Sequence, residues 1–167
     1  IGLKKSFLDL SELDIINTVS VNALAPLLLT KRLLNNLVSN KSTIVNIASS
    51  IAYNPLPNMQ LYSSTKALIS NWSESLNYEL RKTNHVLTVS PSGTFTNFQN
   101  QAGVKVLNRG KGLMTPQKVS QLILSAILKK KSVVILGFKT KILLSISKFL
   151  PRSLNIRFWG FMFSKVR

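Results

Sequence analysis

Apolar positions along the chain change period several times, and each change predicts an element. Ser11-Glu12-Leu13-Asp14 offers a hydroxyl N-cap with two early acids. Ile15, Val19 and Leu27 to Leu29 follow on one side, which predicts a long helix from Ser11 to about Val38. Pro26 falls inside that helix. Lacking an N–H, it cannot bond the carbonyl four residues back, that of Asn22, so this acceptor needs another donor such as water; on the other reading Pro26 only kinks the helix. Residues 43–48 form an unbroken β-prone run, as in a central parallel strand covered on both faces. A loop through Pro55-Leu56-Pro57 leads to a helix over about residues 60–82, with Trp72, Leu76 and Leu80 on its apolar stripe. Trp72 is expected in the core or at a helix contact between subunits. His85 to Val89 reads as a strand, residues 94–114 as a mobile lid, Thr115-Pro116 as a capped helix start, and Val133 to Leu136 as the last strand.

Composition narrows the class. With 167 residues, 45% of them apolar, the chain fits one domain or part of one, and the absence of Cys excludes a disulfide framework or a thiolate metal site. No metal-ligating set is expected. His85, the single His, has no acidic or nucleophilic partner in sequence and reads as a strand-edge residue. No uncharged apolar run reaches 18 residues, so no membrane-spanning helix is expected, and the profile of a signal peptide is missing. The expected location is cytoplasmic, with a peripheral membrane association as an extension of it.

Charge is uneven. Residues 101–167 hold 14 of the 22 Lys and Arg and none of the 5 acids. Such a surface attracts cofactor phosphates, an acyl carrier or acidic lipids; the plain alternative is a solvated basic face. Nucleic acid is not an expected partner, because no recognition motif accompanies the charge. In residues 139–167 large apolar residues are mixed with seven Lys or Arg, which fits either an anionic membrane surface or packing on the protein's own sheet or a neighbouring subunit.

The candidate chemistry lies at Tyr62-Ser63-Ser64-Thr65-Lys66. A Tyr and a Lys four apart share a helix face, so the ammonium can favour the ionised phenol. Bringing a phenol from near ~10 to roughly 7 takes on the order of 4 kcal/mol, which an adjacent cation and a cofactor's charge can largely supply. Taken alone, Tyr-x-x-x-Lys also arises by chance in a Lys- and Ser-rich chain. Its context decides. Residues 44–66 resemble the central segment of the short-chain dehydrogenase/reductase family: an apolar strand ending in Ser-Ser, a crossing loop, and a helix opening with the Tyr and Lys. In that family the catalytic Ser lies thirteen residues before the Tyr, which selects Ser49, and an Asn lies twenty-seven before the Ser, which selects Asn22.

What the resemblance implies is an NAD- or NADP-dependent oxidoreductase acting on a small-molecule carbonyl/alcohol pair. Tyr62 would transfer the proton, Ser49 would hydrogen-bond the substrate oxygen, and Lys66 would lower the Tyr62 pKa and hold the nicotinamide ribose. Asn22 would anchor a water linking Lys66 to solvent. Leu87 to Phe98 is similar to the family's Pro-Gly-x-x-x-Thr loop over the nicotinamide, which makes Pro91, Ser92, Gly93, Thr94 and Thr96 the cofactor-side candidates. Ser92 stands where the family has Gly, and would be strained by about 1 kcal/mol or more at positive φ unless Gly93 absorbs the turn. Lys148 to Arg157 is similar to the tail of the DltE-like subgroup.

The implied fold is α/β, the C-terminal part of a doubly wound parallel-sheet Rossmann fold with three α/β/α layers. Residues 1–138 would form the partial cofactor domain with its catalytic segment and lid, and 139–167 a helical tail. A Gly-rich phosphate turn has no counterpart in the chain, so the expectation is an N-terminally truncated piece lacking the first strands. The alternative is a cofactor-incompetent fragment acting only as a basic binding or membrane-surface module. A homo-oligomer is a further expected partner state.

Overall fold

The computed structural model describes residues 1–104 and 112–164. Three parallel strands form the sheet, in order β1 (Thr43–Ile47), β2 (His85–Ser90) and β3 (Val133–Ile135), with Val45 opposite Leu87 and Ser90 opposite Ile135. The strands lie within about one residue of the runs read from the sequence. Parallel neighbours require a crossover, and α3 (Gln60–Leu80) and α5 (Pro116–Leu128) supply the two. Thr115 caps α5 by accepting from the Lys118 N–H at 3.2 Å.

Strand alternation assigns the layers. Leu87 and Val89 of β2 point to α5 and pack with Ala126, Leu136, Val45 and Ile123. The alternate residues face α3: Asn46 donates to Ser73 Oγ at 2.7 Å, and Asn77 accepts from the Val86 N–H at 3.0 Å. The face of α3 buried here consists of Ser63, Thr65, Ile69, Ser70 and Ser73, while Trp72, Leu76 and Leu80 are only half-buried. Small hydroxyl residues let the helix approach the sheet, a choice that counting large apolar side chains does not reveal.

The first helix differs from the expectation in one respect. Ser11 and Asp14 form a reciprocal capping box at the start of α1 (Glu12–Val19). The run then passes through a π-turn, Ser20–Leu24, before α2 (Ala25–Ser39), with the Ala25 N–H bonded to the Ser20 carbonyl five residues back. Pro26, without an N–H, removes the α-type partner of the Asn22 carbonyl just where the wider turn occurs. Within the continuous run Glu12–Ser39 an 18-residue window has a mean hydropathy of 1.4, long and apolar enough by composition to cross a membrane, although charge-free length alone did not pick it out. In this fold its Asn22–Ala23 side is buried, and the run contacts α3.

The short helix α4 (Phe98–Gln101) lies in the lid segment, of which residues 105–111 are outside those described. The tail comprises α6 (Phe138–Ser147) and α7 (Arg152–Ser164). It is not an appendage. Leu144 and Trp159 are buried with Leu56 and Met59 in a second apolar cluster. Asn54 stands between the two: its amide meets that of Asn155 at 2.7 Å and, with its oxygen toward the indole, accepts from Trp159 Nε1 at 3.2 Å.

Candidate active site

Ser49 leaves the carboxyl end of β1 in extended backbone, and its hydroxyl caps the following 3-10 turn by accepting from the Ile51 N–H at 3.4 Å. Two turns of chain later, the first turn of α3 brings Tyr62 back over the same strand end. Ser49 and Tyr62 border the same cavity, and the Ser49 hydroxyl is near enough to lower the pKa of the Tyr62 phenol. Thr65 Oγ1 donates to the Tyr62 carbonyl at 2.8 Å and steadies this turn.

Lys66 lies one turn further, with Nζ donating to the Ile47 carbonyl at 2.9 Å and standing 5.9 Å from the centre of the Tyr62 ring. Burial dominates both groups. It pushes the Tyr62 phenol up, and the Ser49 hydroxyl pulls it partly back; it pushes the Lys66 ammonium down. The downward pull on the phenol in this geometry therefore comes from Ser49 rather than from Lys66, whose ammonium is turned to the strand carbonyl.

Asn22 holds a different position. It does not line the cavity that contains Tyr62; its amide pairs with the backbone of residue 1, accepting from the Ile1 N at 2.7 Å and donating to the Ile1 carbonyl at 2.6 Å, and also reaches Thr65 Oγ1 at 3.3 Å. Through Thr65 it is one residue removed from Lys66. Lys66 lines both the cavity that contains Tyr62 and a second groove, of about 810 Å³, that runs past Asn22 between α2 and the open edge of β1.

The Tyr62 cavity measures about 580 Å³ and includes Ser49, Tyr62, Lys66, Pro91, Ser92, Gly93, Thr94 and Thr96 in its wall, so every cofactor-side candidate borders it. The loop avoids the strain that Ser92 threatened. Neither Ser92 nor Gly93 has positive φ. Gly93 is needed for room instead, because a Cβ there would stand 2.5 Å from Leu113 Cδ2. The Thr94 hydroxyl donates to the Ser92 carbonyl at 3.1 Å, and the Thr96 hydroxyl accepts from the Phe98 N–H at 3.3 Å, so both shape the loop itself. His85 bonds the Lys131 carbonyl at 2.9 Å, away from the cavity.

Several cavity residues escaped the sequence reading. Phe98 of α4 packs on the Tyr62 ring with centroids 5.2 Å apart. Thr140, Leu143 and Leu144 of α6, with Trp159 and Phe163 of α7, form the far wall. Asn155, Trp159 and Phe163 recur every four residues, a spacing that marks one helix face and was available in the sequence.

The chain matches the profile of short chain dehydrogenase over residues 1–106. It is 28% identical to the ketoacyl reductase HetN of Nostoc sp., over 93% of this chain and 57% of that protein. It is 34% identical to a very-long-chain 3-oxoacyl-CoA reductase of Laccaria bicolor, over 53% of this chain and 26% of that one. Among solved structures, a short-chain dehydrogenase from Sphingobium yanoikuyae in complex with NADPH superposes with a TM-score of 0.72 at 26% identity, covering 81% of this chain and 54% of that one. In each case the chain spans less than two thirds of its relative. The family profile covers the strand end, the Ser49–Tyr62 pair and the helix that carries Lys66, and the fold built around them superposes on a member of the same group: the chain belongs to the short chain dehydrogenase family.

Proposed function

We propose that the chain carries the catalytic half of an NAD- or NADP-dependent oxidoreductase that interconverts a carbonyl compound and its alcohol. The observation that carries this reading is that Ser49, Tyr62 and Lys66 share the wall of one cavity, with Lys66 one helical turn from Tyr62. In reduction Tyr62 donates its phenolic proton to the substrate oxygen, and in oxidation it takes that proton back. Ser49 holds the same oxygen by its hydroxyl. The nicotinamide, when bound, supplies or accepts the hydride. Its ring and ribose suit the wall from Pro91 to Thr96 and the Lys66 ammonium, which borders the cavity and has donor capacity beyond its bond to Ile47. Asn22 positions Thr65 and residue 1 beside Lys66, and a water on its carbonyl would carry protons to the ammonium.

The substrate side is apolar. Phe98, Val104, Leu113, Leu143, Trp159 and Phe163 outnumber the polar groups there, which favours a carbonyl compound with a bulky or long hydrocarbon part. Relatives named for ketoacyl and very-long-chain 3-oxoacyl-CoA reduction support this class. The tail sequence Lys148 to Arg157 supports a place in the DltE-like subgroup, and exposed Leu124, Leu128 and Val133 give a homo-oligomer an apolar contact.

A second reading has its own observation. β1 is a sheet edge beside an apolar groove, and no Gly-rich turn is present in the sequence, so the chain by itself would bind cofactor poorly and act through its basic surface. Titration of NADPH fluorescence against this chain, and against the same chain extended upstream, separates the two. Turnover of apolar ketones by the extended protein that disappears in Tyr62→Phe supports the enzyme; unaltered turnover in that variant refutes it.

A further inference from the structure

We propose that the outer side of α6 docks reversibly on an anionic lipid surface. The inner side of this helix is accounted for, since Thr140, Leu143 and Leu144 line the cavity and Ser147 is buried. A helix of this kind normally turns polar residues outward. Here the outward row is Phe138, Ile142 and Ile146, four residues apart, followed by Phe149 in the turn that ends the helix, with 80%, 45%, 57% and 89% of their surface exposed. Exposed lysines flank the row on both sides, Lys139 on one and Lys141 and Lys148 on the other. Apolar side chains in a line with a cationic rim are what an interfacial helix presents: the row enters the boundary between headgroups and acyl chains, while the lysine stems spread along it and place their charges among the phosphates.

Charge decides among the occupants. With 14 Lys and Arg and no acid between residues 101 and 167, a second copy docking through the same face would set lysine against lysine. A neutral membrane would use only the apolar row. Anionic headgroups satisfy both parts. Arg152 and Arg157, exposed on α7, extend the same field. α7 stays in place in this docking, because Trp159 and Phe163 face the cavity and removing that helix would open it. This surface goes beyond the reductase reading and does not require it. If both hold, a single helix about 10 Å across separates the lipid from the cavity, a short path for an apolar substrate.

Flotation of the upstream-extended protein with vesicles tests the proposal. Binding is expected to phosphatidylcholine vesicles containing phosphatidylserine, to fall at high salt, and to drop roughly fivefold for each of Lys139→Gln, Lys141→Gln and Lys148→Gln. Phe149→Ser weakens binding while the circular dichroism spectrum is retained. As a second measurement, Phe149→Trp adds an emission component that shifts to the blue on anionic vesicles and is quenched by brominated phosphatidylserine. Equal partition to neutral and anionic vesicles, binding to neither, or an added emission unaffected by vesicles overturns the proposal. So does a concentration-dependent self-association that Phe149→Ser abolishes while vesicle binding is unchanged.

Discussion

A Cβ placed on Gly137 would stand 2.6 Å from Ser92 Oγ, so the hydroxymethyl group of Ser92 occupies the room that Gly137 leaves. Gly137 has φ +101°, a conformation that L side chains rarely adopt, and it joins β3 to α6. The Ser in a loop where the family has Gly is therefore matched by a Gly across from it. Gly137→Ala is expected to destabilise the fold by about 2 kcal/mol or more, from backbone strain plus the clash. Adding Ser92→Gly should recover the clash portion only. Denaturant unfolding of the four members of this cycle measures the coupling, and strict additivity would refute the pairing.

Tyr62→Phe in the upstream-extended protein should lower turnover by roughly 10²–10⁴ while cofactor affinity changes little. Lys66→Ala should lower both. Normal turnover in the first variant would remove Tyr62 from the chemistry.

The pH dependence follows from the two influences on Tyr62. Burial raises the phenol's pKa and the Ser49 hydroxyl lowers it. Alcohol oxidation needs the phenolate, so its rate rises with pH through the Tyr62 titration. Ser49→Ala removes the lowering influence and should move that limb to higher pH, besides reducing the maximum rate. An unmoved or downward-shifted limb would contradict that influence.

The wall formed by α7 should govern substrate size. Phe163→Ala is expected to raise KM for bulky apolar ketones more than for small ones, with kcat nearly kept. Asn155→Ala should cost about 1–2 kcal/mol of stability, because it removes the 2.7 Å amide contact between Asn155 and the buried Asn54. Equal effects on large and small ketones would place Phe163 outside the specificity site.

The open edge of β1 has a measurable consequence. Leu13 and Leu29 are 65% and 61% exposed, and Ile47 at the strand end is 44% exposed. Expressed as residues 1–167, the chain is expected to aggregate and to show no saturable NADH or NADPH binding. Micromolar affinity in that preparation would show that this chain alone suffices for the cofactor.

Where the residues speak to their immediate neighbours, the sequence was enough. The capping box at Ser11, the Thr115-Pro116 start of α5, the three strand runs and the return of Tyr62 and Lys66 on one face all depend on interactions within a few residues. The thirteen-residue spacing carried by the family resemblance also pointed to Ser49 as the partner of Tyr62 at the strand end.

Other features are set by groups distant in the chain. Trp159 belongs to the cavity because Asn54, 105 positions earlier, receives its indole, and Ser92 is relaxed because Gly137 faces it. The buried side of α3 is its hydroxyl-rich side because the sheet lies close to it, not because those residues are apolar. The direction of the Tyr62 shift likewise depended on how far the fold buries the phenol, and desolvation outweighed the lowering by Ser49. Local pattern thus determined the elements and the shared helix face of Tyr62 and Lys66. Packing alone decided which faces meet and what the pocket excludes, because close packing and desolvation depend on partners brought together only by folding.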